Sequence, residues 1–463
     1  MVKKYDTSLF LFHKDLRIAD NNGLLAALSL SKKVMTVFIV DPNQVADSNP
    51  YKSDNAIQFM LESLHDLEKQ LHEHKGRLTI LYGNTHTVLK KLFSTYSIDA
   101  FFCNADYTPF ARKRDELIKE LCDVKGIEFL SYHDALLNDP STVLKKDHKP
   151  YTKFTPFYKK ALTFTVSAVN HHIEQNFCTK KVDDALSHAE LNKKIMIKNN
   201  PSLFAHGGRA EALRIVRATK KIINYKKTHD FPAESTTGLS AHIKFGTVSI
   251  REVFAYFKEH RADHELLNRQ LYWHDFFVTI AYYFPYVFGQ AFYKKYNHVH
   301  WENDEKKFNA WCGGKTGFPI VDAGMRQLNT TGYMHNRVRM VVASFLTKDL
   351  HIDWRLGERY FAQKLVDYDP AVNNGNWQWA ASTGCDAQPY FRIFNPWLQQ
   401  EKFDPGCVYI KQWVPELALL APKQIHAWYN DSSPLIKGYP RPIVDHATQA
   451  AYAKRMYQSL LVE

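Results

Sequence analysis

Two stretches of the carboxyl half hold residue types that packing alone does not require. MHNRVRMVVASF, residues 334–345, reads as a helix. Positions i and i+4 share a helix face, so Asn336 and Met340 are expected to be neighbours. Arg337 lies one turn from Met340, and Arg339 one turn from Asn336. An amide, two guanidinium groups and a thioether are unusual for a core and for a plain surface, although a solvated amphipathic helix is the ordinary alternative. The second stretch, VDYDPAVNNGNWQWAAS at 366–382, is richer. Asp367 and Asp369 flank Tyr368, Pro370 is expected to stop any helix, and Asn373, Asn374, Gly375 and Asn376 form a turn-prone run. Trp377 and Trp379 would share a face in a strand. In a helix they point about 200° apart, so that one can face a bound cofactor while the other faces elsewhere. Two core aromatics are the ordinary explanation of such a pair.

Positioning these residues falls to a 463-residue chain, long enough for two or three domains. Its first 135 residues alternate strand and helix signals. Apolar runs at 8–12, 34–40, 78–82, 100–103 and 127–130 have the continuity of strands buried on both faces. Between them, 56–71 carries Ile57, Met60, Leu61, Leu64, Leu67 and Leu71 near a 3.6-residue period. The expected fold is α/β plus all-α: a doubly wound parallel five-stranded sheet, then a helical domain. Residues 136–204 read as a connector with weak periodicity, and 205–463 as helical, with helices expected at 210–223, 248–258, 264–281, 320–328, 335–350 and 358–365.

Other features exclude function classes. No G-x-G-x-x-G follows the first strand, where the chain reads HKDLRIADNNG, so an ordinary dinucleotide site is not expected. GGKTG at 313–317 is no phosphate loop, because Asn309 stands where the motif needs glycine. Six scattered cysteines without C-x-x-C point to reduced thiols and away from a disulfide framework or a zinc site, and no metal is expected. The amino end has only a short apolar run, cut by His13, Lys14, Asp15 and Arg17, and is no signal peptide. The uncharged stretch 276–293 contains Pro285 and Gly289 and reads as a broken, buried helix, so a soluble, cytoplasmic protein is expected. The net charge of +12 suggests an anionic partner such as nucleic acid. All nine tryptophans follow residue 270, so the two halves are built from different materials.

Four segments carry a resemblance: HKDLRIADN, YKKTHDFPAESTTGLSAHIKFG, KTGFPIVDAGMRQLNTTGYMHNRVRMVVASFLTKDLHIDWRLGERYF and VDYDPAVNNGNWQWAASTGCDAQPYFRIFNP. The chain resembles the photolyase/cryptochrome family, and within it the class I cyclobutane pyrimidine dimer DNA photolyases. The likeness spans nearly the whole chain. It implies an α/β antenna-type domain at 1–135, the connector at 136–204 and a helical FAD-binding domain at 205–463. The implied activity is light-driven repair by electron transfer from reduced FAD to a dimer flipped out of DNA. By the same resemblance, Tyr225, Thr236, Thr237, Gly238, Leu239 and Ser240 cradle the FAD phosphates, while Arg339, Asp367, Asp369 and Asn373 attend the flavin ring, Asn373 facing N5. Trp377, Trp354 and Trp301 match the family's electron-transfer chain. Trp273 and Trp379 match the pair that sandwiches the lesion, with Gln270, Asn336, Arg337 and Met340 as further substrate contacts. A monomer is implied.

Several residues depart from the pattern. Gln270 replaces the usual glutamate, and so can hydrogen-bond thymine but brings neither charge nor proton, and His274 replaces an arginine. Gln at this position occurs in (6-4) photolyases, yet their histidine pair is missing from Met334–His335–Asn336–Arg337. An aspartate at 373 would resemble plant cryptochromes and a cysteine insect ones, so Asn373 favours repair over the rival reading of a blue-light photoreceptor. For a second, antenna chromophore, Phe110–Ala111 and Phe288 break the folate-type pattern, and a deazaflavin is preferred to methenyltetrahydrofolate.

Overall fold

Five apolar runs pair into one parallel sheet of order β3-β2-β1-β4-β5. The computed structural model describes residues 3–195, 197–222, 224–430 and 436–461. The strands are β1 (Tyr5–Phe12), β2 (Ser31–Val40), β3 (Leu78–Tyr82), β4 (Ala100–Asn104) and β5 (Glu128–Tyr132). β1 lies between β2 and β4, and Leu9, Phe10, Leu11 and Phe12 are all buried, as helices on both faces require. The edge strand β5 is only half-buried. Each crossover helix starts at a side-chain cap: Asn21, Ser53, Asn84 and Thr108 each accept a backbone N–H. On the helix Asp54–Glu73, Ile57, Leu64, Leu67 and Leu71 are buried as the periodicity required, while Met60 and Leu61 sit at the half-buried margin.

Close contacts divide the chain into two compact units. The first takes Met1–Asn199, Ala205–Lys221 and Thr237–Pro285, and the second Asn200–Phe204, Ile222–Thr236 and Tyr286–Glu463. The first therefore includes helices as well as the sheet: Arg209–Ala218, Ile250–His260 and His264–Tyr283. It is locked by buried ions. Asp134 binds Arg17 at 2.7 Å and Arg251 at 2.8 Å, and Arg251 also reaches Asp20 at 3.0 Å. Arg17 and Asp20 come from HKDLRIADN, so that segment owes part of its character to this lock.

The second unit is a helical core around Trp311, Trp354, Trp377 and Trp428, with Pro319–Thr331, Asn336–Lys348, Trp354–Lys364 and Pro370–Ala380 among its helices. Two expectations change in detail, and the break expected in the uncharged stretch is found. The connector holds two helices, Phe154–Ala161 and His188–Ile195, each too short to print a periodic pattern, yet anchored by Phe154, Phe157, Leu191 and Ile195. The helix expected at 210–223 ends at Ala218 in a tight turn over Thr219–Lys221, and Ile223 lies outside the described residues. The uncharged stretch breaks after Tyr283, where Pro285 opens a 3₁₀ turn. Among the described residues no helix is long and apolar enough to cross a membrane, and all six cysteines are free.

Candidate functional site

In the second unit, Pro370 begins a helix, Pro370–Ala380, instead of stopping one. Asp369 is its N-cap, its Oδ1 accepting from the N–H groups of Ala371 (3.0 Å) and Val372 (3.1 Å), and proline suits the first turn because its missing N–H would be unused there. The asparagine run is therefore helical and forms no turn. Its side chains work outward: Asn373 Nδ2 donates to the Glu358 carbonyl (3.2 Å) and to Glu358 Oε1 (3.1 Å). Asn374 donates to the Val287 carbonyl, and Gln378 to the carbonyls of Val287 and Gln290. These bonds offset the weak helix propensity of asparagine.

Helical geometry separates the two tryptophans. Trp377 is buried against Phe361 and Trp311, with ring centroids 4.9 and 6.1 Å away. Its ring lies so near Gly357 that a Cβ there would come within 2.2 Å of Trp377 Cη2. Trp379 is half-buried at the margin of the same core. Trp354, Trp377 and the partly buried Trp301 belong to that one core cluster. Trp301 also meets Tyr457 edge to face at 6.3 Å.

The helix Asn336–Lys348 carries the other group. Asn336 Nδ2 lies 3.7 Å from Met340 Sδ, so the two are neighbours on an accessible face. Arg339 bonds Asp367 Oδ2 at 2.9 Å and the Met334 carbonyl at 2.7 Å. Burial opposes the Arg339 charge, but Asp367 more than compensates and its pKa is raised. Its guanidinium faces the Tyr333 ring, whose hydroxyl lies 3.4 Å from Thr236 Oγ1, so Thr236, Arg339 and Asp367 form one chain of contacts. Arg337 pairs with Asp230 at 2.7 Å and lies over the Phe403 ring. Tyr225 opens a short turn, Tyr225–Thr228, beside His229.

The first unit holds the remaining candidates. Gln270 and Trp273 are three apart on His264–Tyr283 and share a face, Gln270 exposed and Trp273 half-buried. Trp273 stacks on Phe154 at 3.7 Å and 6°, so one of its two faces is already covered. His274 lies 3.4 Å from the buried Asp275. In the loop Thr237, Gly238, Leu239, Gly238 has φ +64°, which glycine adopts without strain. The turn then enters the short helix Ser240–Lys244, whose N-terminus no side chain caps. Backbone N–H groups at such a start suit a phosphate.

Sequence reasoning missed Glu358, Asp230, Tyr333 and Phe154. Glu358 is buried, and burial pushes its carboxyl up to about 7 against the lowering effect of Asn373 and Tyr368. No local signal marks it: it lies 15 positions before Asn373 on another helix. With Nδ2 committed to Glu358, the Asn373 carbonyl oxygen is the end of the amide left to accept a bond from a flavin N–H. That acceptor and the Arg339–Asp367 pair fit the ring chemistry of FAD.

Comparison with known proteins agrees. Residues 8–175 match the family described as DNA photolyase, and residues 266–459 the FAD binding domain of DNA photolyase. A deoxyribodipyrimidine photo-lyase of Alkalihalophilus pseudofirmus is 36% identical over 96% of this chain and 97% of its own length. A solved archaeal photolyase from Sulfolobus tokodaii is similar at TM-score 0.89 and 43% identity, covering 98% of this chain and 100% of that one. A bacterial class III photolyase from Agrobacterium tumefaciens aligns at TM-score 0.91 and 33% identity over 100% and 99% of the two chains. The chain belongs to the DNA photolyase family, and its carboxyl half is that family's FAD-binding domain.

Proposed function

We propose that this protein is a light-driven deoxyribodipyrimidine photo-lyase that repairs cyclobutane pyrimidine dimers in DNA. Reduced FAD, when bound, supplies under blue or near-ultraviolet light the electron that opens the dimer's cyclobutane ring and then regains it. The protein's part is to hold, orient and shield. The observation that carries the reading is the Asn373 amide: Glu358 holds its Nδ2, so the neutral carbonyl oxygen, which does not titrate, would accept a bond from flavin N5–H when FAD is bound. Arg339 and Asp367 hold the ring's polar edge, with Asp369 capping the helix that bears Asn373. Tyr225, Thr236, Thr237, Gly238, Leu239 and Ser240 hold the phosphates.

By the family resemblance, Trp379, Asn336 and Met340 of the second unit and Trp273 and Gln270 of the first are each assigned to lesion binding, and Arg337 to the DNA backbone. An aromatic face compensates a flipped base for lost stacking, and a dimer, already poorly stacked, is the easiest base to extrude. Trp377, Trp354 and Trp301 relay electrons when FAD must be reduced, and their membership of one core cluster supports this. The functional divisions fall at 1–135, 136–204 and 205–463, and the protein works as a cytoplasmic monomer. A second chromophore belongs to the α/β domain, near the carboxyl ends of β1 and β4, where such sheets take ligands. A deazaflavin is one candidate. A flavin is another, since the Sulfolobus tokodaii photolyase is described with two FAD molecules.

The test is photoreduced protein given a defined thymine-dimer oligonucleotide in light and darkness, with a (6-4) oligonucleotide alongside. Light-dependent loss of the dimer alone is expected. Loss of the (6-4) lesion alone would shift the substrate, and repair of neither by flavin-loaded protein would favour the photoreceptor reading.

A further inference from the structure

Away from the flavin and DNA residues, three metal-binding side chains converge on the first unit. His65 and Glu68, three apart, share a face of the helix Asp54–Glu73. The start of the helix His188–Ile195 brings His188 against them. The two imidazoles meet edge to face at 5.1 Å, His188 Nε2 lies 3.0 Å from Glu68 Oε2, and one donor atom from each residue lies within 4.8 Å of the other two. His188 Nε2 is shielded from solvent and lacks a well-aligned hydrogen bond despite its approach to Glu68.

We propose that His65, Glu68 and His188 bind a divalent transition-metal ion, zinc being the best match, and that the ion fastens the His188–Ile195 helix to the Asp54–Glu73 helix. A carboxylate alone would suit calcium or magnesium, but two imidazoles shift preference to zinc and its neighbours. Zinc needs donors at about 2.0–2.2 Å, and turning the exposed His65 side chain closes the set, with water as the fourth ligand. The short His188–Ile195 helix buries only Leu191 and Ile195, so a metal clip at its start has structural work to do.

The test uses full-length, FAD-loaded protein stripped with a chelator. Zn²⁺ is titrated by calorimetry, Co²⁺ by its visible d–d absorption, and thermal unfolding is followed with and without Zn²⁺. His65→Ala is the primary variant, because an exposed position leaves the fold intact, and His188→Ala the second. The expected result is one saturable site, a raised unfolding temperature with Zn²⁺, and loss or weakening of both effects in His65→Ala. No saturable binding, binding equal in His65→Ala and wild type, or binding without a rise in unfolding temperature would overturn the proposal.

Discussion

Asp134 in the first unit and Glu358 in the second are both buried carboxyls, and they end in opposite states. Burial pushes Asp134 up, but Arg17 and Arg251 more than reverse it, so its pKa is lowered. Burial pushes Glu358 up to about 7, and the neutral partners Asn373 and Tyr368 only partly oppose it. The counter-charge decides the difference. Asp134 is a fixed anion in a closed lock whose partners are all protein. Glu358 is poised near neutrality and holds the Nδ2 end of the Asn373 amide. The same burial thus builds a strut in one region and a positioning device in the other.

The largest test of this contrast is Asp134→Ala, which leaves Arg17 and Arg251 buried against too little charge. A loss of about 3–5 kcal/mol is expected in denaturant unfolding. The lowered pKa gives the sign with pH: the Asp134 contribution is present above the unfolded carboxyl value and lost as pH falls through the folded one, so acid weakens this lock. A loss under about 1 kcal/mol would mean the lock is ornamental.

Glu358→Gln keeps an acceptor for Asn373 and removes the titration. The folded pKa is raised, so wild-type stability falls as pH rises from about 4.5 to about 7. The variant should match wild type in acid and gain on the order of 2–3 kcal/mol relative to it above pH 7, read as a pH series of unfolding temperatures. Equal slopes in the two proteins would show that Glu358 ionises normally and that the comparison with Asp134 fails.

A smaller effect is expected at Asp367. Its partner Arg339 is still 24% exposed, so Asp367→Asn should cost only about 1–2 kcal/mol while flavin content falls sharply, measured by unfolding and by absorbance of the purified protein. A cost as large as at Asp134 with flavin retained would reclassify the pair as another lock. The smallest stability change belongs to Trp379→Ala at the core margin, within about 0.5–1 kcal/mol, with a marked loss of affinity for dimer-containing DNA by titration. Unchanged affinity would remove Trp379 from the substrate surface.

Much of this was legible in sequence. The five strands stand where continuous apolar runs placed them, and Asn336 meets Met340 as helical spacing requires. The 370–380 segment was misread because proline and asparagine favour turns locally, whereas Asp369 caps the segment and Glu358 and Val287 bind its amides. Arg337 gave no sign of its pairing with Asp230, 107 positions away. Trp273 likewise gave no sign of the Phe154 ring that covers one face.

By itself the sequence determined most of the local elements and the family, because these rest on periodicity, capping and motif, all read within a few turns of chain. Only the tertiary structure decided the order β3-β2-β1-β4-β5, the opposite charge states of Asp134 and Glu358, and which end of Asn373 is left to accept a bond. Those depend on partners brought together across long stretches of chain. Burial and counter-charge, which no local pattern encodes, then set the outcome.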